Sequence, residues 1–149
     1  MYQRILVPLD GSKRAEKILP HVRDLAKASG AEIILLRVVQ LVVKSDGYRN
    51  VLYDESVAIN ENAIKEAEKY LSEVAGPLER KNLRVKTIVQ VGPVLEIILD
   101  QSERQRVDLV AMASHGRTGL ARVFYGSIAA GVIHRIDRPL LLVRSRSEE

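Results

Sequence analysis

Residues 32–39 read EIILLRVV, and this stretch decides the fold class. Six of its eight residues are apolar, and polar and apolar residues do not alternate along it. A short apolar run of this kind is typical of a β-strand whose two faces are both covered. Such strands occur in parallel sheets with helices on both sides, so the stretch predicts a layered α/β protein.

The residues before this strand predict another strand and then a helix. Arg4 to Leu9 form a short apolar run that ends at the turn signal Asp10-Gly11. Apolar residues then recur on one helical face from Ala15 to Ala26, with Ser12 as the predicted N-cap. Gly30 follows as the predicted end of the helix.

The residues after it continue the alternation of helices and strands. The predicted elements are a helix over Val57 to Arg80, a strand over Val85 to Val91, a helix opened by Gly92-Pro93, a strand over Val107 to Ala113, a glycine-rich basic loop over Ser114 to Gly126, a helix from Ser127, a strand over Leu140 to Val143 and a disordered tail over Ser145 to Glu149. The alternation predicts one domain over residues 1–149, an α/β fold with a doubly wound five-stranded parallel sheet. Residues 40–55 show no clear period and are predicted as a loop, and we expect residues 41–55 to be mobile without a ligand or partner.

Composition limits the classes of function. The chain has 149 residues, no cysteine, no tryptophan and a net charge of +4. Thiolate metal sites, disulfides and cysteine nucleophiles are therefore excluded, and few aromatic side chains are available to stack on nucleic-acid bases. The longest apolar stretch, Ile33 to Val43, is shorter than the roughly 18 residues of a membrane span. We expect a cytoplasmic protein that binds neither membrane nor nucleic acid, and its basic balance suits a small anion such as a nucleotide.

Ligands of doubly wound sheets bind at the carboxyl ends of the strands, and the loop from Ala113 to Ser127 begins at such an end. Gly116 and Gly126 let backbone N–H groups approach a phosphate, and a helix that starts at Ser127 adds unpaired donors and partial positive charge. Arg117 adds charge nearby. The alternative interpretation is that Gly116 and Gly119 only allow turns and that Ser127 only caps its helix.

Asp10 ends the first predicted strand and has two interpretations as well. Its carboxylate could accept hydrogen bonds from a ribose hydroxyl or an adenine amine, or it could form an Asx-turn into the first helix. Neither a G-x4-G-K-[ST] phosphate loop nor a G-x-G-x-x-G fingerprint is present, and the three histidines lack zinc-ligand spacing. His115 is the one base that can be nominated, and no residue is predicted as catalytic or as a metal ligand.

Five motifs together give a family resemblance. They are V-P-L-D-G-S at 7–12, V-G-P at 91–93, V-D-L-V-A-M-A-S-H-G-R-T-G at 107–119, Y-G-S at 125–127 and R-P-L-L-L-V at 138–143. In this order they resemble the universal stress protein family over essentially the whole chain. The resemblance implies a sheet of strand order 3-2-1-4-5. It also implies the ATP-binding motif G-x2-G-x9-G-[ST], in which Gly116, Gly126 and Ser127 match and Ala113 replaces the first glycine.

The resemblance also implies a binding site, a cofactor and a partner. The implied nucleotide-binding residues are Pro8, Leu9, Asp10, Val38, Met112, Ala113, Gly116, Arg117, Gly126, Ser127 and Ile128. The implied cofactor is ATP. Mg²⁺ could bridge its phosphates, with Asp10 as the only clear carboxylate at this end of the sheet. The implied partner is a second copy of the chain, paired through the last strand, Leu140 to Val143, because an exposed apolar edge invites pairing.

Three functions are compatible with the sequence. The leading hypothesis is an ATP-binding regulatory or stress-response protein that hydrolyses ATP slowly at most. The second is a dimeric interaction or chaperone-like protein that binds no nucleotide, which the Ala113 substitution favours. The third is an enzyme that acts on adenylated substrates, for which only His115 is available as a base.

Overall fold

The structure of the chain, a computed structural model, describes residues 1–40, 52–116 and 126–146, with the side chains of 52–60, 115, 116 and 146 excepted. Its elements in chain order are β1 (Arg4–Pro8), α1 (Leu19–Ser29), β2 (Glu32–Val39), α2 (Leu52–Glu79), β3 (Val85–Val91), α3 (Val94–Arg104), β4 (Leu109–Gly116), α4 (Ser127–Arg135) and β5 (Leu140–Arg146), and a 3₁₀ turn over Ala15–Ile18 precedes α1. Among the described residues, no helix is both long enough and apolar enough to cross a membrane.

The five strands form one parallel sheet in the order β3-β2-β1-β4-β5. The central strand β1 pairs on both sides, with Leu6 opposite Ile34 of β2 and Val110 of β4. The sheet confirms the predicted fold class and the strand order that the family resemblance implies. β1 lies at the switch point of the sheet, because the chain continues to β2 on one side of it and reaches β4 on the other.

Two apolar cores cover the two faces of the sheet, as the apolar strand EIILLRVV predicts. One core packs α1 and α2 against the sheet, with Val22, Leu71 and Leu35 fully buried. The other packs α3 and α4 against the opposite face, with Ile98 and Val132 fully buried. Since successive strand residues face opposite sides, the two cores take alternate residues of β1, β2 and β4.

The first two helices start at other residues than predicted. Helix α1 begins at Leu19 and not just after Ser12, because Pro20 has no N–H to donate to Glu16 and the chain before it forms the 3₁₀ turn. Gly30 ends α1 with φ 74°, as predicted. Helix α2 begins at Leu52, so the predicted loop 40–55 is wrong from Leu52 onward. The periodicity of apolar residues does not predict a helical turn that lacks an apolar stripe. Residues 41–51 lie outside the described residues, and their expected mobility stays a prediction.

Strands β4 and β5 differ most from the prediction. β4 begins at Leu109 and continues through Gly116, so the predicted loop from Ser114 is a strand at its start. β5 continues to Arg146, and Ser145 is buried, so the predicted disordered tail is wrong for these two residues. The reason is their mutual pairing, which runs from Val110 opposite Leu140 to Gly116 opposite Arg146. Residues 147–149 lie outside the described part of the chain.

Candidate functional site

A cavity of about 980 Å³ opens at the carboxyl end of the sheet. The ends of β1, β2 and β4, the N-terminus of α4 and one side of α2 form its walls. Nine residues of the predicted nucleotide site line this one cavity: Pro8, Leu9, Asp10, Val38, Met112, Ala113, Gly126, Ser127 and Ile128. Gly116 ends β4 and is not among the described residues that line the cavity, and Arg117 lies outside the described residues.

Asp10 forms a tight turn at the end of β1. One carboxylate oxygen, Oδ1, accepts hydrogen bonds from the Ser12 backbone N–H at 2.9 Å and from the Ser12 hydroxyl at 2.6 Å. The Ser12 Oγ accepts in turn from the backbone N–H of Ala15 at 3.1 Å. The Asx-turn interpretation of Asp10 is therefore correct. It leaves the second oxygen, Oδ2, without a hydrogen-bond partner among the described residues, so Asp10 can still accept a bond from a ligand.

The electrostatic setting keeps the Asp10 carboxylate charged. Burial raises its pKa, but the hydrogen bonds from Ser12 and the positive charge of Arg37 outweigh burial and hold the pKa below the ordinary value of 3.8. An ionised carboxylate only accepts hydrogen bonds. Asp10 therefore suits a ligand hydroxyl or amine and disfavours a phosphate at the same place.

The end of β2 presents backbone groups to the cavity. The last hydrogen bond between β1 and β2 runs from the Leu9 N–H to the Leu36 carbonyl at 2.8 Å. Val38 faces the same side as Leu36, because backbone groups of alternate strand residues point to the same neighbour. The N–H and C=O of Val38 therefore face the space that β1 has vacated. The Arg37 Nη1 donates to this carbonyl at 2.5 Å, which uses one of its two lone pairs.

The N-terminus of α4 supplies the donors. Gly126 is its N-cap, with φ 79° and ψ 156°, a conformation that is essentially confined to glycine. The first intrahelical bond runs from the Ala130 N–H to the Gly126 carbonyl at 3.0 Å, and no side chain of the described residues caps the helix. Helix geometry leaves the N–H groups of the first turn unpaired within the helix. Ser127, the first helical residue, and Ile128 carry two of these groups, so the interpretation of Ser127 as a mere cap is wrong.

The sequence interpretation missed three side chains that line the cavity. Arg37 interrupts the apolar run of β2, and a charge inside a buried strand was the available signal. Tyr70 of α2 donates its hydroxyl to Glu16 Oε2 at 3.0 Å. Burial first, and then this hydrogen bond and the Glu16 charge, raise the pKa of Tyr70. Ser114 was assigned to the loop and lies in β4. The side chain of His115 lies outside the described residues.

The fold and the cavity define a doubly wound α/β protein with a ligand-sized cleft at its switch point. The model of the universal stress protein family matches residues 1–144, and the chain belongs to this family. It is similar to universal stress protein MJ0577 of Methanocaldococcus jannaschii, with 33% identity over 158 residues, which cover 99% of this chain and 98% of that protein. The solved structure of MJ0577 has a TM-score of 0.82 at 31% identity and covers 99% of each chain.

Two more distant solved structures contain nucleotides. A universal stress protein in complex with cAMP is 19% identical, with a TM-score of 0.60 over 97% of this chain and 98% of that chain. A universal stress protein family protein of Arabidopsis thaliana with AMP bound is 11% identical, with a TM-score of 0.68 over 98% of this chain and 94% of that chain. At these identities the two structures show the shared fold alone.

Proposed function

We propose that this protein is a cytoplasmic ATP-binding regulator of the stress response that hydrolyses ATP slowly at most. One observation carries the proposal: Gly126, in a glycine-only conformation, leaves the first turn of α4 uncapped beside the cavity that Asp10 and Val38 also line. A helix N-terminus of this kind attracts anions, because unpaired N–H groups and the helix dipole act together.

The cavity has a different chemistry at each of its walls, and the three parts of an adenine nucleotide match them. The N–H and C=O of Val38 form a donor–acceptor pair of the kind that the edge of an adenine ring requires. The free Oδ2 of Asp10 accepts from a ribose hydroxyl. The phosphates lie at the first turn of α4, where Mg²⁺ accompanies them without a dedicated cluster of carboxylates among the described residues. The cAMP and AMP complexes of two proteins of the same fold support an adenine nucleotide as the ligand class.

Slow turnover follows from the cavity lining. Rapid hydrolysis needs a base that positions the attacking water beside the reacting phosphate. Asp10 and Glu66 are the two carboxylates among the described residues that line the cavity, and Asp10 is held in its own turn. We therefore assign no catalytic residue and expect the bound nucleotide to act as a signal.

A second copy of the chain is the proposed protein partner. β5 is the last strand of the sheet. One side of it pairs with β4 from Leu140 to Arg146, and its opposite side forms the edge of the sheet. The residues Leu140 to Val143 are half-buried in the single chain. Pairing β5 with its twin would satisfy its outward backbone groups and cover these side chains. Sedimentation equilibrium tests the proposal, and a monomer at micromolar concentration would refute it.

The alternative function is a dimeric interaction protein that binds no nucleotide. Ala113 favours it, because a methyl group lines the cavity where the nucleotide-binding motif has glycine. Isothermal titration with ATP and Mg²⁺ decides between the two functions. We expect saturable binding between micromolar and millimolar nucleotide; the absence of any binding in that range, together with purified protein free of bound nucleotide, would favour the alternative.

A further inference from the structure

Ser114 has a buried hydroxyl with no internal partner. The residue is 2% exposed, and its Oγ has no hydrogen-bond partner among the described residues. No other side-chain oxygen or nitrogen in the described part of the chain is both fully buried and unpartnered. Buried polar atoms are nearly always hydrogen-bonded, since burial without a partner costs their hydration. The exception at Ser114 therefore needs a reason.

Another buried serine shows the usual arrangement. Ser102 is also 2% exposed, and its hydroxyl donates to the backbone carbonyl of Leu99 at 2.7 Å within α3. It does not line the cavity, whereas Ser114 does. A serine hydroxyl in a helix reaches a carbonyl of the preceding turn, but a strand offers no such local acceptor. Because Ser114 lines the cavity, that is the side from which a partner for its hydroxyl can come.

The position of Ser114 in β4 places it on the side of α4. Side chains two residues apart in a strand share a face, and Met112 packs in the core formed with α3 and α4, which includes Ala129. The register that pairs Leu6 with Val110 brings Ser114 level with Asp10 when it is continued along both chains. Ser114 thus lies one step beyond Met112, toward the cavity and the first turn of α4.

We infer that the Ser114 hydroxyl is a ligand-binding group that donates its hydrogen bond to a phosphoryl oxygen of the bound nucleotide. The inference rests on the proposed nucleotide site and assigns a side-chain donor to it, beside the backbone donors of α4. A phosphoryl oxygen accepts such a bond strongly because it is charged. The cost of leaving the hydroxyl unpaired in the empty protein is recovered when the ligand binds.

The test compares Ser114→Ala with the matched control Ser102→Ala. Each variant removes one buried hydroxyl, and neither removes a carbon atom from the core. Titrations with ATP, AMP and adenosine measure affinity, and urea unfolding without ligand measures stability. We expect Ser114→Ala to lose about tenfold or more in affinity for ATP and AMP, to keep its affinity for adenosine, and to unfold at an unchanged or higher urea concentration. Ser102→Ala should do the reverse, with lower stability and unchanged affinities.

Each other outcome overturns the inference. Unchanged ATP affinity in Ser114→Ala would show that the hydroxyl meets no ligand. An equal loss for adenosine would place its contact on the nucleoside and not on a phosphate. A loss of stability as large as that of Ser102→Ala would reveal a partner within the chain. If the wild-type protein binds none of the three compounds, the proposed function itself is wrong, which is distinguishable from a wild type that binds and a variant that binds equally well.

Discussion

At the amino-terminal edge of the sheet, the Asp108 carboxylate accepts hydrogen bonds from the backbone N–H groups of Gln3 at 2.8 Å and Arg4 at 3.1 Å. At the carboxyl-terminal edge, the Asp10 carboxylate bonds, among the described residues, to Ser12 of its own turn and keeps one oxygen free. The first aspartate joins β1 to the start of β4, more than one hundred residues away. The second aspartate, Asp10, closes a local turn, and its other carboxylate oxygen remains available to accept a hydrogen bond from a ligand.

Cationic side chains at the amino-terminal edge also form hydrogen bonds with backbone groups of distant residues, as Asp108 does. The Arg84 guanidinium donates to the Gly30 carbonyl at 2.7 Å, and the Arg138 guanidinium donates to the Ser102 carbonyl. At the opposite edge, the first turn of α4 has no side-chain cap and Ser114 has no partner among the described residues. Among the described residues, the amino-terminal edge pairs these polar groups within the chain, and the carboxyl-terminal edge holds unpaired donors and acceptors around a cavity. Such unpaired groups cost stability and are expected where a ligand completes the bonding.

The largest effect is expected at Gly126. In Gly126→Val, a β-branched residue must adopt φ 79° at the head of α4, and we expect its side chain to enter the space assigned to the phosphates. We expect the affinity for ATP, measured by titration, to fall by about a hundredfold or more, because two or more charge-assisted hydrogen bonds are lost. Gly30→Val is the control, because Gly30 also has positive φ, 74°, but lies at the amino-terminal edge. It should lose stability and keep its affinity; full ATP binding by a folded Gly126→Val would show that this turn does not hold the phosphates.

The second effect concerns the amino-terminal edge. Asp108→Ala leaves two backbone N–H groups without their acceptor, so we expect the free energy of unfolding to fall by about 1–2 kcal/mol in urea titrations. Asp108→Asn keeps one oxygen acceptor and should lose less. ATP affinity should stay the same in both variants, because this edge lies at the other end of the strands. A change in affinity would mean that the two edges are coupled and that the contrast between them is wrong.

A third, smaller effect is expected at the free oxygen of Asp10. Asp10→Asn keeps the oxygen that accepts from Ser12 and replaces the second oxygen by an amide donor. We expect about a tenfold loss in affinity for ATP and for adenosine alike, because the proposed contact is to the ribose. The titrations named above measure it. An equal affinity for adenosine in variant and wild type would show that Asp10 does not contact the ligand and only forms its turn.

The smallest effect is a dependence of stability on pH. The folded-state pKa of Asp10 lies below its ordinary value of 3.8, so the charged carboxylate stabilises the fold above that value, and its contribution is lost as the pH falls through the folded-state pKa. The difference in unfolding free energy between wild type and Asp10→Asn should stay well below about 1 kcal/mol near neutrality, because Asp10 is exposed, and should shrink as the pH falls below 4. Ser12→Ala removes the hydroxyl donor and should move the loss to higher pH. A difference that grows in acid would contradict the assignment.

Much of the fold follows from local patterns. The bounds of β2 and β3 agree with the prediction, and Gly30 ends α1 as expected, because apolar runs and a left-handed glycine are local signals. The ends of β4 and β5 did not follow, since Ser114 and Ser145 are polar and only their pairing partners make them strand residues. Helix α1 starts at Leu19 because Pro20 has no N–H. The sequence contains this signal, but the helical period of apolar residues extends across it, so the period alone predicts an earlier start.

The residues of the site also divide into those that local sequence patterns predict and those that depend on the packing of distant elements. Asp10, Gly126 and Ser127 could be singled out from residue type and position, because a turn after a strand and a glycine before a helix are readable along the chain. Tyr70 and Ser114 could not, since their place at the cavity depends on which strands and helices become neighbours. Arg37 had a local signal, a charge within an apolar strand, but its position at the cavity depends on the same packing.

The sequence alone determined that strands and helices alternate, that both faces of the sheet are covered, and that glycine and aspartate follow two of the strands. These properties depend on the periodicity of neighbouring residues, which the chain carries before it folds. Only the tertiary structure decided which polar groups were satisfied and which remained free at the carboxyl edge. Hydrogen bonding between distant residues depends on strand order and register, and those arise when the two cores pack on the sheet.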